Sequence, residues 1–230
     1  MHPGQIILAI ETSNPTMGEP GVALGRPAGG GVEVLDEETL RTGSRRGDDL
    51  IPAIDRVMRR RGLAPNRIGR VLVSTGPGGF TALRIAIAAA KMLGESLGAE
   101  VVPVPTALVI AAELDRELAP ALICLASKGK TTFGVRLVES GWTDHPEPVG
   151  VIDAEGLEGL GVRTLVGDEH LPEGMRARAG ALGISIVRPK LSAKALLGVG
   201  HAMTPVDPLE LAPIYPREPE AVRKWRELHG

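Results

Sequence analysis

The chain has 230 residues, 43% hydrophobic and 23% charged, enough for one large core or two modest ones. A formal charge of −2 and a sequence pI near 6.2 argue against a free-standing nucleic-acid binder, and 2% aromatic residues leave too few rings for a base-stacking platform. The first residues lack a secretory pattern and no apolar run reaches transmembrane length, so a cytoplasmic chain without membrane contact is expected.

Ile6 to Ile10 reads as a buried strand, broken by Glu11-Thr12-Ser13-Asn14-Pro15. Gly21 to Gly25 returns as a second strand, Pro27 to Gly31 is a turn by composition, and Val32 to Arg41 supplies a third strand. Asp48 or Asp49 is placed to cap a helix running through Arg61 and ended by Gly62. Its apolar positions Leu50, Ile51, Ile54, Val57 and Met58 form one stripe, and Pro52 fits only in the first turn. Between Arg41 and Arg70 nine arginines face three aspartates, a local balance of +6 that suits a solvated face, an acidic partner or an RNA backbone.

Val71-Leu72-Val73 is the next strand, and Gly76-Pro77-Gly78-Gly79 breaks it sharply. Thr81 is expected to cap the long helix that follows, with Gly98 as its terminating glycine. Glycines ahead of a helix N-terminus suit a phosphate, yet Thr81 stands where GxGxxG needs its last glycine, and no Gly-Lys-Ser/Thr follows. Ala82, Ala86 and Ala90 recur every four residues and make a flat face. That face suits ordinary packing on the chain's own sheet first, and close approach of another chain's helix as the sharper alternative.

Val101 to Val104 is a short strand, and Thr106 is expected to cap a linking helix to about Leu118. Ala121 to Ala126, Thr132 to Val138 and Val149 to Ile152 read as three strands around a Lys128-Gly129-Lys130 turn. A glycine-damaged helix over Asp153–Leu160, a strand at Arg163–Gly167, a helix at Met175–Leu182 and a strand at Ile184–Val187 follow. Ser192 caps a helix through His201; Leu211 to Tyr215 and a helix from Pro219 to Leu228 finish the chain. A β-β-β-α-β-α unit thus occurs twice, which predicts an α/β protein of two like lobes, 1–105 and 106–204, with 205–230 packing back on the first. This is the plan of the actin, sugar-kinase and Hsp70-type ATPases, the ASKHA or ribonuclease H-like fold.

Chemistry-bearing patterns are sparse. The histidines at 2, 145, 170, 201 and 229 show no HExxH or helical pairing, so no metal site is predicted. Cys124 has no disulfide partner and its apolar neighbours predict a buried thiol. Gly129-Lys130-Thr131 lacks the leading glycine of a Walker loop, and no GxSxG elbow is present. A nucleotide on the two-lobe plan would use the first hairpin, where Glu11, Thr12 and Ser13 are the available set. The second hairpin offers Ser127, Lys128 and Lys130 but no acid between Ala121 and Val138, which leaves half of an ATP site absent.

Ile7-Leu8-Ala9-Ile10-Glu11-Thr12-Ser13 resembles the LAIDTS opening of the TsaB (YeaZ) family, and Gly76-Pro77-Gly78-Gly79-Phe80-Thr81-Ala82-Leu83-Arg84-Ile85 resembles its GPGSFTGLRIG core. Leu50-Ile51-Pro52, Lys91 and Pro213-Ile214-Tyr215-Pro216-Arg217 are similar to its LLP, AKGLA and PxYLR segments. The family's DARxGEVY segment is represented by Leu125 to Thr132, without its Asp and Arg. The resemblance implies a non-catalytic accessory subunit of the ASKHA fold. Such a subunit pairs with a TsaD-type transferase, works with a TsaE-type ATPase, and contributes to N6-threonylcarbamoyladenosine (t6A) at position 37 of tRNAs reading ANN codons. It implies no cofactor on this chain, with ATP and metal on the partner subunits, and a homodimer when alone. It also implies a partner surface on the first two helices: Leu50, Ile51, Ile54, Val57 and Met58, with Ala82, Ile85, Ala86, Ala89 and Ala90. On that reading Ala86→Arg breaks the association and leaves the fold intact. The alternatives are an active ASKHA-type ATP-dependent kinase, or a homodimeric regulator without a transferase partner.

Overall fold

The computed structural model describes residues 5–14, 16–41, 49–138, 146–218 and 220–229. Pro15, Arg45, Arg46, Asp48, Pro219 and the histidines at 2 and 145 lie outside them. The first sheet is built from β1 (Ile6–Glu11), β2 (Gly21–Ala28), β3 (Gly31–Thr39), β4 (Ile68–Gly76) and β5 (Glu100–Pro105), in the order β3-β2-β1-β4-β5. The second holds β6 (Ala121–Lys128), β7 (Thr131–Leu137), β8 (Glu147–Ile152), β9 (Thr164–Val166) and β10 (Ser185–Val187), in the order β10-β9-β6-β7-β8. Read from the third strand of each unit, the two orders are the same. In both, an antiparallel three-strand meander continues into parallel strands. This duplicated, mixed α/β arrangement is the two-lobed ASKHA-like plan.

Every residue of β1 is buried because both faces of its sheet are covered. Ile6, Leu8 and Ile10 point to the layer of α1 (Leu50–Arg60) and α2 (Phe80–Leu97). Ile7 and Ala9 point to the other side, where α3 (Thr106–Glu113) and α5 (Ala193–Gly200) form a core shared with the second sheet. Although α5 comes from the second half of the chain, it packs on the first sheet: a Cβ at Gly200 would lie 2.8 Å from Val104 and 3.0 Å from Leu72. The outer face of the second sheet packs against α4 (Glu173–Ala181) through Leu122, Cys124, Leu165 and Met175. A last helix, α6 (Glu220–His229), ends the described chain.

Several local expectations need correction. Thr81 does not cap α2; Gly79 precedes the helix, no side chain caps it, and Thr81 is an exposed residue of its first turn. Thr106 likewise begins α3 rather than capping it, and its buried hydroxyl finds no partner among the described residues. α3 also stops at Glu113, and only a 3-10 turn covers 116–118. The Asp49 carboxylate leaves the helix end for Arg56 and the Arg41 N–H. Asp153–Leu160 forms only a 3-10 turn at Glu155–Leu157, where Gly156 and Gly159 weaken a helix. Gly98 ends α2 as expected, at φ +64° with its N–H on the Gly94 carbonyl, and the Ser192 hydroxyl caps α5 through the Ala195 N–H.

Candidate functional site

The end of β1 and the loop after it carry Glu11, Thr12 and Ser13, the set that the sequence offered for a nucleotide. Glu11 is fully buried, accepting from the Ser13 N–H (2.8 Å), the Ser13 hydroxyl (2.7 Å) and the Ser74 hydroxyl. Burial pushes its carboxyl well above the ordinary value; the bonds from Ser74 and Ser13 act in the opposite direction and do not overcome it. Thr12 donates to the Ala82 carbonyl in the first turn of α2 (3.2 Å). The Ser13 carbonyl accepts the Gly79 N–H (2.6 Å), and a Cβ on Gly78 would stand 2.0 Å from that same oxygen. The glycines of the 76–79 loop therefore serve its close contact with the β1–β2 loop.

The second hairpin turns at Gly129, and its hydroxyls are tied inward, Ser127 to Thr132 (3.1 Å) and Thr132 to the Leu125 carbonyl (3.0 Å). Arg217 also lies on it, donating to Thr131 Oγ1 and the Ala126 carbonyl. The β1–β2 loop instead meets the segment after β9, where the Thr16 hydroxyl lies 2.5 Å from the Asp168 carboxylate. Arg217 contributed only to a family tail in the sequence, and nothing local marks Asp168. Cys124 is buried as predicted, its thiol pushed up to about 12 by desolvation and by the Asp168 charge, so it is inert. Among the described residues no three His, Cys, Asp or Glu side chains gather to hold a metal ion.

The α1 and α2 residues assigned to a partner surface divide by exposure. Leu50, Ile54, Val57, Met58, Ala86, Ala89 and Ala90 are buried in the chain's own core against the first sheet. Ile51 is 46% exposed, while Ala82 and Ile85 lie at the margin. The small alanines are there because α2 sits close on its sheet, and an arginine at Ala86, 1% exposed, would break the fold itself. The outward face of the same helices is made of Ile51 and Asp55 on α1 and of Arg84, Ala88 and Met92 on α2. At its end Phe80, 53% exposed, sits 5.3 Å from the Tyr215 ring and 5.0 Å below the Arg84 guanidinium.

Five described arginines of the cluster are paired with acids, three of them with acids of the earlier strand β3. Arg56 pairs with Glu38 and Asp49, Arg60 with Asp36 and Glu38, Arg61 with Asp36, Arg59 with Asp55, and Arg70 with Glu100. The Arg60 hydrogen bond holds Asp36 below its ordinary value, and Arg56 does the same to Asp49. Desolvation opposes the shift at Glu38, yet bonds from Arg60 and Arg56 hold it low. Among the described residues, Arg56, Arg59, Arg60, Arg61 and Arg70 of the cluster thus exchange charge with acids.

A family model described as TsaD, tRNA N6-adenosine threonylcarbamoyltransferase, matches residues 44–140. The tRNA threonylcarbamoyladenosine biosynthesis protein TsaB of Bacillus subtilis (strain 168) is 28% identical over 240 residues, spanning 96% of this chain and 98% of its own. Two solved structures share the fold: YeaZ from Pseudomonas aeruginosa (TM-score 0.65, 18% identity, 92% of this chain and 99% of that one) and a Pseudomonas aeruginosa protein described as similar to peptidase YEAZ (TM-score 0.66, 17% identity, 93% and 100%). No helix among the described residues is long and apolar enough to cross a membrane. Over nearly its whole length the chain is thus similar in sequence to a TsaB protein and in fold to YeaZ structures.

Proposed function

We infer that this chain is a non-catalytic accessory subunit that dimerises with a TsaD-type transferase and activates it for t6A formation at adenosine 37 of tRNAs reading ANN codons. The observation that carries this reading is the end-to-end likeness to a protein named for t6A biosynthesis. The second hairpin supports it: hydroxyls turned inward and no acid between Ala121 and Val138 give a poor seat for Mg·ATP. The outward face of α1 and α2 supports it too, since Ile51, Phe80 and Met92 leave large apolar groups at the surface, each about half exposed. On this reading the docking surface is that outward face, not the buried stripe beneath it. ATP and metal belong to the TsaD- and TsaE-type partners, tRNA is met through the complex, and the same face pairs two copies when the chain is alone, in the cytoplasm.

Reconstitution tests this. Unmodified tRNA is incubated with TsaD-type and TsaE-type subunits, threonylcarbamoyl-AMP and ATP, with and without this chain, and t6A is read by nucleoside mass spectrometry. Modification that depends on the chain is the expected result. Equal t6A in its absence would overturn the assignment.

A further inference from the structure

Residues 211–217 run from one sheet to the other. Leu211 is 2% exposed, buried in the core beneath α1 and α2. The Ile214 N–H donates to the Thr75 carbonyl near the end of β4 (2.8 Å). Arg217, three residues further on, reaches the β6–β7 hairpin of the second sheet, with Nη2 donating to Thr131 Oγ1 (2.9 Å) and Nη1 to the Ala126 carbonyl.

The receiving end is shaped for this contact. β6 and β7 change register between Leu125 and Lys128, so the Ala126 carbonyl lies outside the regular ladder. Ala126 is also the one non-glycine with positive φ among the described residues, at +48°. An alanine keeps that conformation only where its surroundings hold it. The planar guanidinium supplies two donors in a fixed fork, and here they bridge a carbonyl and a hydroxyl at once. Both acceptors are neutral and partial burial lowers the basicity of Arg217, so geometry rather than charge pairing holds the contact.

We propose that residues 211–217 are an interlobe strap, anchored in the first lobe and locked by Arg217 onto the β6–β7 hairpin, so that the hairpin loosens when this fork lets go. The strap is intramolecular and operates in the chain alone, whatever partner the chain serves. It also carries Tyr215 of the exposed Phe80–Tyr215 pair, so a partner gripping Tyr215 would pull directly on the lock.

Hydrogen–deuterium exchange by mass spectrometry on the full chain tests it, comparing wild type with Arg217→Gln, Arg217→Lys and Thr131→Val. Loss of a charge-assisted fork predicts at least about tenfold faster exchange in both 125–132 and 211–217 for Arg217→Gln. Lysine and Thr131→Val each remove part of the fork and give smaller rises in the same two segments, with β1 unchanged throughout. Thr131→Val keeps the test decisive should Arg217→Gln fail to fold. Wild-type exchange at the hairpin in these variants would overturn the proposal. An equal rise in Arg188→Gln, which cuts an exposed pair with Glu169, would do the same.

Discussion

The first sheet carries two full helices on its outer face, the eleven-residue α1 and the eighteen-residue α2, over strands of six to nine residues. The second sheet has the same strand order, yet a 3-10 turn at Glu155–Leu157 stands where α1 would be, α4 has nine residues, and β9 and β10 have three each. Glycines at 156, 159 and 161 account for the lost helix, because each adds chain entropy that a short helix cannot recover. Topology was duplicated; the helical layer was not. The half with the thicker layer is also the half that presents Ile51, Phe80 and Met92 to solvent.

The largest effect should come from the two sides of α2. Ala86→Arg forces a charge into the core of the first lobe and should cost more than about 3 kcal/mol, enough to unfold a marginal domain. Met92→Arg on the outward side should change stability by less than about 0.5 kcal/mol. Urea denaturation of both variants checks the contrast, and equal losses would mean that burial does not separate the two faces of α2. Next come the hairpin loops. Gly78→Ala meets the Ser13 carbonyl and should cost about 2–3 kcal/mol. Gly129→Ala meets nothing within 4 Å and pays only for its left-handed φ of +60°, roughly 1 kcal/mol.

The last effect is one of pH, and it separates Glu11 from the surface acids. The folded-state value of Glu11 is raised above the ordinary 4.5, so the stability it contributes is fully present below that value and is lost as pH rises through the native one. Asp36, Glu38 and Asp49 are depressed, so their contribution is present above their unfolded values and disappears on acidification through the native ones. Glu11→Gln should therefore flatten the decline of stability with rising pH and leave the acid limb intact. An unchanged slope in denaturant titrations across that range would remove Glu11 as its source.

Most of the fold was legible in the sequence because strands buried on both faces read as continuous apolar runs, as in Ile6–Ile10 and Val71–Val73. The Leu50–Met58 stripe correctly marked an amphipathic helix, but periodicity alone cannot say what covers its apolar face. Alanines at 82, 86 and 90 permit close approach to a sheet as readily as to another helix, and only burial separated those uses. The pairing of the arginine cluster was not legible for a different reason. Its partners Asp36 and Glu38 lie on β3, ahead of the basic stretch, and become neighbours only when α1 docks. Arg217 was invisible as a contact because its acceptors are some 90 residues away in the chain, one of them a backbone carbonyl.

The most direct test of the account is mass by light scattering during size-exclusion chromatography of this chain mixed with a TsaD-type protein at micromolar concentration, using wild type and Met92→Arg. The account predicts a one-to-one heterodimer for wild type in place of any homodimer, and separate peaks for the folded Met92→Arg variant. Two unmixed peaks for the wild-type mixture would contradict it.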